Sequence, residues 1–323
     1  MRIVVSGAAG FIGSHLCRAL LGAGLEVVGI DNFSFGRPEN IADLHDDDRF
    51  RFIEADLLDP ATLQQVQGNV LVHLASHKIP RYSSALQTLE SNSKMLRNAL
   101  QCCVSQQMKL VFASTSDVYG KNPHVPYHEE SDLLLGPTTV RRWAYSTSKI
   151  YGELLIQAYH EDFGLDYTIL RFFGSYGPWQ NTTWWGGPQA VFIQNVLERK
   201  PIEVHGDGKQ TRTFTYVTDT VQGIVKSITL SEATNQIFNV ASKPDEEIAI
   251  GDLAITILEL MGRDDHPIKV IPYSTFGKYE DVPRRIPDIR KITKLLDFCP
   301  TVNLIDGLKQ TIRWQAEFYA ASK

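Results

Sequence analysis

The sequence predicts an α/β protein with a Rossmann-type doubly wound parallel sheet and a smaller, discontinuous C-terminal α/β lobe. Short apolar runs alternate with amphipathic stretches through the first half of the chain, which is typical of parallel βαβ units. A glycine-rich turn joins the first apolar run to the first amphipathic stretch. From Gly174 to Gly187 the composition shifts to Gly, Pro, Trp and Thr, which indicates a long loop region between the two parts.

The elements of the first half follow from hydrophobic periodicity. Apolar runs of strand length are bounded by turn residues, whereas stretches with apolar residues three or four positions apart indicate helices. The sequence predicts strands at Arg2–Ser6, Glu26–Asp31, Arg51–Ala55, Val70–Ala75, Lys109–Ser114 and Asp166–Phe172. It predicts helices at Phe11–Leu21, Leu86–Val104 and Tyr145–Phe163.

Beyond the loop region the elements are shorter and more scattered. The sequence predicts helices near Gln189–Arg199, Thr218–Leu230, Ile250–Met261 and Leu304–Tyr319, and a strand at Ile202–Val204. We therefore expect a first domain over residues 1–173, to which a later strand and helix near 213–240 contribute, and a second lobe over 174–323. Ligands of such folds bind at the carboxyl ends of the strands, between the lobes.

Composition excludes several classes of protein. The 323 residues carry a formal net charge of −5 without basic runs, which disfavours nucleic acid and anionic membranes as partners. No apolar stretch approaches the roughly 18 residues of a membrane span, and the N-terminus has no signal-peptide pattern. The four cysteines follow no disulfide or metal spacing, which fits a reducing compartment. We expect a cytoplasmic protein.

A dinucleotide-binding turn is predicted directly after the first strand, in Ser6-Gly7-Ala8-Ala9-Gly10-Phe11-Ile12-Gly13. Its three glycines permit a tight turn, close approach of the backbone to a pyrophosphate, and close packing of helix on strand. The second strand ends at Asp31, where a carboxylate would accept hydrogen bonds from both ribose hydroxyls and repel a 2′-phosphate. This combination predicts NAD as the cofactor. Asp56, after the third strand, is either a contact to the adenine amine or a turn residue.

A tyrosine and a lysine suited to proton transfer lie four residues apart in Tyr145-Ser146-Thr147-Ser148-Lys149. This spacing places both on one face of a helix. A nearby ammonium stabilises a phenolate and would lower the pKa of the tyrosine from about 10 towards neutrality. Such a tyrosine can remove a hydroxyl proton while hydride leaves for the nicotinamide. A hydroxyl at the carboxyl end of the fifth strand, in Ser114-Thr115-Ser116-Asp117, could share that proton.

This combination resembles the extended short-chain dehydrogenase/reductase family, specifically its nucleotide-sugar epimerases, dehydratases and decarboxylases. The resemblance covers nearly the whole chain. Besides the glycine turn, Thr115 and the Tyr145/Lys149 pair, the motifs that match in order and spacing are His73-Leu74-Ala75, Arg171-Phe172-Phe173, Tyr176-Gly177-Pro178 and Gly206-Asp207-Gly208-Lys209-Gln210-Thr211-Arg212.

The resemblance implies roles for individual residues. Thr115, Tyr145 and Lys149 would form the catalytic triad, with Ser116 and Asp117 beside it, and Arg212 would contact a substrate diphosphate. The expected cofactor residues are Gly7, Gly10, Phe11, Ile12, Gly13, Asp31, Asn32, Asp56, Leu57, Leu74, Ala75, Lys78, Tyr145 and Lys149. The expected substrate residues are Lys78, Arg81, Ser116, Arg171, Gly174, Gln189, Arg212 and Arg285. Lys78 thus has two candidate ligands, cofactor phosphate and substrate.

Within this family the first step is oxidation of C4 of a nucleotide-linked sugar, and residues beside the triad decide the next step. Related 4,6-dehydratases have Asp and Glu after the Thr, where this chain has Ser116 and Asp117. Simple 4-epimerases need no carboxylate there, so Asp117 favours chemistry at C5 or C6, although it could instead cap the turn. We expect oxidation at C4 to be followed by lyase chemistry, either decarboxylation or dehydration, and 4-epimerisation is the alternative.

Two lyase resemblances remain open. Thr115-Ser116-Asp117, Arg141-Arg142-Trp143 and Arg284-Arg285 resemble segments of UDP-glucuronate decarboxylases. Leu74-Ala75-Ser76-His77-Lys78 with Pro80-Arg81 resembles the tunicamycin-pathway UDP-N-acetylglucosamine 5,6-dehydratase. Gly174 and Thr213 depart from the family, which usually has Asn and Asp at these positions.

The remaining expectations concern partners. We expect a UDP-sugar substrate and, from the resemblance, a homodimer that uses the helices around Leu86–Val104 and Tyr145–Phe163. The tryptophans of the loop 179–187 either pack on a ligand or form loop core. We expect no metal site, because Pro126 prevents the helical face that His124 and His128 would need. A catalytically silent protein that binds NAD or a nucleotide sugar is the alternative of another class.

Overall fold

The computed structural model describes residues 1–78 and 84–322. Its strands, in chain order, are β1 Arg2–Ser6, β2 Glu26–Asp31, β3 Phe50–Glu54, β4 Val70–His73, β5 Lys109–Thr115, β6 Tyr167–Phe172, β7 Ser175–Tyr176, β8 Ile202–His205, β9 Thr211–Arg212, β10 Thr215–Tyr216, β11 Gln236–Val240, β12 Ile248–Ala249, β13 Ile268–Ile271 and β14 Arg284–Arg285. Its α-helices are α1 Phe11–Gly22, α2 Pro60–Gln64, α3 Ala85–Gln106, α4 Trp143–Phe163, α5 Pro188–Leu197, α6 Val217–Thr229, α7 Ile250–Met261, α8 Arg290–Leu296 and α9 Leu304–Ala321.

The central sheet confirms the predicted fold class. Seven parallel strands lie in the order β11-β6-β5-β4-β1-β2-β3, so the strand order reverses between β1 and β4. Strands such as β1 and β4 are buried runs rich in β-branched residues, and helices cover both faces of the sheet. In a doubly wound sheet the ligand cleft opens at this reversal, beyond the carboxyl ends of the strands.

Two apolar cores lie on the two faces of the sheet. Helices α3 and α4 pack on one face through residues such as Leu96 and Ile156. Helices α1 and α6 pack on the other, and that core continues into the second lobe through Phe192 and Ile257 of α5 and α7. The continuous core holds the second lobe against the edge of the sheet where the ligand cleft opens.

The end of β4 differs from the sequence expectation. The predicted strand Val70–Ala75 ends at His73, where the last ladder bond runs from Leu74 N–H to the Ser6 carbonyl. The chain then passes close to the glycine turn. A Cβ at Gly7 would lie only 3.0 Å from Ala75 N. Leu74 and Ala75 therefore leave the ladder and line the cleft.

The second lobe is built from short pieces. The strand β9 pairs with β12 antiparallel and with β14 parallel, and β8 pairs with β13. The pairing of β9 with β14 brings Arg285 beside Arg212. Among the helices of residues 1–78 and 84–322, none combines the length and the hydropathy needed to cross a bilayer.

Candidate active site

A cavity of about 700 Å³ opens at the carboxyl ends of the central strands and reaches the second lobe. Most of the residues singled out from the sequence line it. They are Gly7, Gly10, Phe11, Ile12, Gly13, Asp31, Asn32, Asp56, Leu57, Leu74, Ala75, Lys78, Thr115, Ser116, Asp117, Tyr145, Lys149, Gly174, Arg212 and Arg285. The sequence motifs therefore converge on one cleft.

The glycine turn is shaped as a cradle for a phosphate group. Gly7 has a φ of +77°, which favours glycine, and its N–H donates to the Ile30 carbonyl at 2.8 Å. A Cβ at Gly13 would overlap the Gly7 carbonyl oxygen. Gly10 is the N-cap of α1, where no side chain caps the helix, and the first turn has no acidic residue. Its N-terminus is thus suited to an anion.

We expect Gly13→Ala to abolish cofactor retention, because the added methyl group must displace the backbone of the glycine turn. The cost in unfolding free energy is about 1–3 kcal/mol, as for other overpacked sites. Calorimetric titration with NAD and a thermal melt would measure both effects. The matched control is Gly22→Ala on the same helix, where a Cβ meets nothing within 4 Å. Unchanged NAD affinity in Gly13→Ala would contradict the assignment of the cradle.

Two carboxylates line the cavity near the ends of neighbouring strands, Asp31 at the end of β2 and Asp56 after β3. Asp31 accepts hydrogen bonds from the N–H groups of Ala9 at 3.0 Å and Phe33 at 2.8 Å. Burial raises the pKa of Asp31, and these backbone hydrogen bonds counteract that effect. Asn32 donates to Asp56 at 3.1 Å. A second carboxylate beside Asp31 adds to the repulsion of a 2′-phosphate, so this donor set fits NAD.

Thr115, Tyr145 and Lys149 lie together where β5 meets α4. The Lys149 ammonium donates to the Ala113 carbonyl at 2.7 Å and lies 5.9 Å from the centroid of the Tyr145 ring. The phenol of Tyr145 is hydrogen-bonded with the hydroxyls of Thr115 and Ser76. A phenol, an ammonium and two hydroxyls at the strand ends can pass a proton to and from a ligand hydroxyl.

The expected lowering of the Tyr145 pKa is not seen. Burial raises the pKa of its phenol, the charge of Asp117 raises it further, and the hydrogen bonds with Thr115 and Ser76 only partly counteract this. Burial also lowers the pKa of Lys149 to about 7. Spacing on a helix face is visible in the sequence, but the desolvation of both groups is not.

Asp117 lies between two guanidinium groups. Its Oδ1 accepts from Arg285 at 2.6 Å and from Arg142 at 3.3 Å, and its own N–H donates to the Thr115 hydroxyl at 3.2 Å. Burial opposes ionisation of Asp117, but the charges of Arg285, Arg142 and Arg212 outweigh it and lower the pKa of this carboxyl. Asp117 is therefore a carboxylate at neutral pH, able to act as a base or an electrostatic group.

Asp281 joins two of these arginines. Its Oδ1 accepts from Arg142 at 2.8 Å and from Arg212 at 2.9 Å, while Oδ2 accepts from the hydroxyl of Tyr273. Burial opposes the ionisation of Asp281, but the two guanidiniums lower the pKa of its carboxyl well below the usual range. With Lys78 also lining this end of the cavity, cations exceed carboxylates, which suits a ligand with several negative charges.

Arg285 keeps one donor without a partner. Its Nε is buried and has no hydrogen-bond acceptor among the described residues, and the same holds for the hydroxyl of Thr213. Both residues line the cavity. Buried donors are nearly always satisfied, so these two atoms mark where a polar ligand is expected to bind.

Two predicted substrate residues lie elsewhere. The Arg171 guanidinium is buried in a bidentate pair with Glu153 and donates also to Tyr119 and to the Glu129 carbonyl, so it does not line the cavity. The expected contact of Arg171 with a substrate therefore stays a prediction, made for a side chain that pairs with other protein groups. Gln189 is buried near the start of α5 and does not line the cavity either.

Two further predictions concern the substrate end. Arg81 lies outside the described residues. Gly174 lines the cavity with a φ of +51°, a region that glycine and asparagine adopt more readily than other residues. The exchange of the family's usual asparagine for Gly174 therefore preserves the backbone but removes the side chain that would contact a phosphate.

The tryptophan loop forms one wall of the cavity. Trp185 stacks on Phe35 with ring centroids 4.4 Å apart, and Trp184 stacks on His205 at 4.3 Å. Trp179 lies against His15 at 4.5 Å. Each of the three indoles thus has an aromatic partner within the protein and also borders the cleft. The tryptophans therefore form loop core and are also placed to pack on a ligand.

Sequence reasoning missed two residues of this site. Arg142 belongs to the Arg141-Arg142-Trp143 segment that resembles UDP-glucuronate decarboxylases, and this resemblance could have indicated its place in the site. Asp281 had no signal, because a single acid in a loop meets its two arginines only after the second lobe folds. Within the described residues no three His, Cys, Asp or Glu side chains are grouped as a metal site.

Comparisons with known proteins agree with this geometry. Residues 3–241 match the model described as the NAD dependent epimerase/dehydratase family. The chain is 34% identical over 325 residues to the UDP-N-acetyl-alpha-D-glucosaminuronate decarboxylase of Bacillus cytotoxicus, with 98% of each chain covered.

Solved structures are similar over the full length. A UDP-glucuronic acid 4-epimerase from Bacillus cereus, in complex with UDP-glucuronic acid and NAD, has a TM-score of 0.85 and 31% identity, covering 99% of this chain and 100% of that one. A dTDP-glucose 4,6-dehydratase from Streptomyces venezuelae, with NAD and TYD bound, has a TM-score of 0.89 and 28% identity, covering 99% and 98%.

Proposed function

Because the chain belongs to the NAD dependent epimerase/dehydratase family, we propose that it is a UDP-hexuronate decarboxylase that works through a transient 4-ketose. Membership makes it an NAD-dependent enzyme of nucleotide sugars, and the alternative of a catalytically silent binding protein does not fit that membership. When bound, NAD supplies the acceptor for hydride from C4. The residues of the glycine turn and Asp31 would hold it.

The observation that carries the proposal is the placement of Asp117 between Arg285 and Arg142, beside the Thr115 hydroxyl. A hexuronate adds a carboxylate to the diphosphate of a nucleotide sugar, and guanidiniums pair with both groups bidentately. The Bacillus cytotoxicus relative decarboxylates such a sugar by its name, and the Bacillus cereus structure contains UDP-glucuronic acid. Arg285 and Arg142 are the groups proposed to hold the sugar carboxylate.

The chemistry follows from the position of the ketone. Tyr145 accepts the proton of the C4 hydroxyl, with Thr115 hydrogen-bonded to its phenol. The C4 ketone then stands β to the C6 carboxylate, so the C5–C6 bond breaks, its electrons move into the C4 carbonyl, and CO₂ leaves. C5 takes a proton from solvent or a group at the arginine cluster, C4 recovers its hydride, and Tyr145 returns the proton to the C4 oxygen.

Dehydration is less favoured by the side chains present. Loss of the C6 hydroxyl requires a general acid, and the position that carries an aspartate in 4,6-dehydratases is Ser116 here, a neutral hydroxyl with an ordinary alcohol's weak acidity. Release of CO₂ needs no acid for the leaving group. The second candidate is 4-epimerisation of the same substrate, favoured by the similarity to the UDP-glucuronic acid 4-epimerase.

The test is mass spectrometry of the products from a panel of UDP-glucuronate, UDP-N-acetylglucosaminuronate, UDP-glucose and UDP-N-acetylglucosamine. We expect a product lighter by CO₂ from a hexuronate and no net consumption of NAD. A product lighter by water, or of unchanged mass with inverted C4 by proton NMR, would replace decarboxylation by dehydration or epimerisation. No turnover of any of the four substrates would contradict the proposal.

We also propose a homodimer that uses the outer faces of α3 and α4. Leu86 and Leu154 are each more than 60% exposed there, at 64% and 63%, and Tyr151 is 39% exposed. Exposed apolar side chains on two neighbouring helices are typical of a subunit interface. Sedimentation as a single chain at micromolar concentration would contradict it.

A further inference from the structure

A buried carboxylate follows the proposed catalytic pair on α4. Glu153 lies four residues after Lys149, as Lys149 lies four residues after Tyr145, so all three share one face of the helix. Glu153 is only 3% exposed. It does not line the cavity, so no ligand contact explains its burial. An ionised carboxylate in such a place needs partners that hold it.

Those partners fix Glu153 in one orientation. Its Oε1 accepts from the Ser114 hydroxyl at 2.5 Å and from Arg171 Nε at 3.0 Å, and its Oε2 accepts from a terminal nitrogen of Arg171 at 2.6 Å. Arg171 is fixed in turn, because it donates to the Tyr119 hydroxyl at 3.0 Å and to the Glu129 carbonyl at 2.9 Å. The carboxylate is therefore held in one position, on the helix face that it shares with Lys149.

The contacts of Lys149 with β5 and β4 are apolar or neutral. From β5, the Ala113 carbonyl accepts from its ammonium and the Phe112 ring centroid lies 4.6 Å away. From β4, His73 is neutral, because burial lowers its pKa to about 3 and the charge of Lys149 lowers it further. From α4 itself come Tyr145 and Glu153.

The two effects on Lys149 oppose each other. Burial lowers the pKa of its ammonium to about 7, and the charge that counteracts the burial is the carboxylate of Glu153. An ammonium that loses its proton near neutral pH no longer stabilises a phenolate. Any weakening of the carboxylate would therefore discharge Lys149 within the physiological range.

We infer that Glu153, fixed by Arg171 and Ser114, is a positioning residue whose charge keeps Lys149 an ammonium beside Tyr145. The inference rests on the proposed role of Lys149 in proton transfer and deepens it. It also gives Arg171 a function: the arginine that the sequence assigned to a substrate acts on the site through Glu153, without contact to the ligand.

The test compares the titration of Lys149 in matched variants. Glu153→Gln alone leaves the Arg171 guanidinium buried without its partner and is expected to destabilise the fold. The double variant Glu153→Gln/Arg171→Met removes both charges of the pair and keeps similar shapes. Glu161→Gln, an exposed acid on the same helix, is the control. Thermal melts establish which variants are folded.

The direct readout is nitrogen NMR of the protein with labelled lysine, in which the Lys149 signal is identified by its loss in Lys149→Met. In the double variant Lys149 should lose its proton about 1–3 pH units lower than in the parent, the range for loss of a neighbouring opposite charge. Glu153→Asp keeps the carboxylate but withdraws it by one methylene, so its titration should lie between the two. The Glu161→Gln control should titrate as the parent does.

Activity supplies a second readout with a defined sign. Since the proposed step needs the ammonium, turnover falls as the pH rises through the pKa of Lys149, and this alkaline limb should move to lower pH in the double variant. Parental titration of Lys149 in every folded variant would overturn the inference. If the parent turns over no UDP-sugar, the proposed function fails, while the NMR titration still decides the role of Glu153.

Discussion

Replacement of Tyr145 by phenylalanine is expected to lower kcat about 100- to 10,000-fold, the usual contribution of a positioned acid–base group. The change removes the hydroxyl that bonds with Thr115 and Ser76 and leaves the ring in its buried place. NAD affinity should change little, because the cradle at Gly7 and the carboxylate of Asp31 lie at the ends of β1 and β2 and keep all their groups. Steady-state kinetics with the best hexuronate and calorimetric titration with NAD would measure the two effects.

The matched control for this prediction is Tyr151→Phe. It makes the same chemical change on the same helix, at an exposed side chain that does not line the cavity. We expect parental turnover from it. A Tyr145→Phe protein that turns over the substrate at the parental rate would refute the assignment of the base.

The parental pH dependence should carry the signature of this buried phenol. Burial and Asp117 hold the pKa of Tyr145 above its ordinary value in the protein. We therefore expect the charges of the bound ligands to change the pKa of the Tyr145 phenol and so to determine whether it loses its proton. A spacing of four residues on a helix predicts which groups meet, but the burial of those groups sets their protonation.

The fold shows the same division between local pattern and tertiary context. The βαβ alternation predicted β1 to β6 with end points close to those observed, because most of these strands are apolar runs buried on both faces; the edge strand β3 is partly exposed. The strand β11 was expected only as part of the range 213–240, since Gln236–Val240 is short and gains its place by pairing with β6. The helix α8 and the two-residue strands of the second lobe carry no periodicity at all.

The site divides in the same way. The sequence indicated the glycine turn and the pair on α4, because the residues of each motif are close in sequence and local backbone geometry sets their relative positions. The arginine cluster was found only in part, because Arg142, Arg212 and Arg285 come from three distant segments that meet at Asp117 and Asp281. The pairing of Arg171 with Glu153 could not be predicted, because the sequence motif that contains Arg171 does not include Glu153.

Asp117 is the residue at which the proposed reaction and its alternatives separate. Asp117→Asn keeps the shape of the side chain but removes the charge between Arg285 and Arg142. Loss of that charge also removes one cause of the raised pKa of Tyr145, so the pKa of the phenol should fall. The alkaline form of Tyr145 would then be reached at lower pH, and oxidation at C4 should persist or improve on the acidic side.

Because Asp117 orients Arg285 and Arg142, which are proposed to hold the sugar carboxylate, we expect Asp117→Asn to slow the release of CO₂ by about 100-fold while the oxidation at C4 continues. The absorbance of reduced cofactor should rise during a single turnover. Mass spectrometry of the quenched reaction should find the 4-keto sugar that still carries its C6 carboxylate. The control is Asp162→Asn, an exposed acid on α4 outside the cavity. If Asp117→Asn gives the parental product at the parental rate, the proposed role of Asp117 in the steps after oxidation fails.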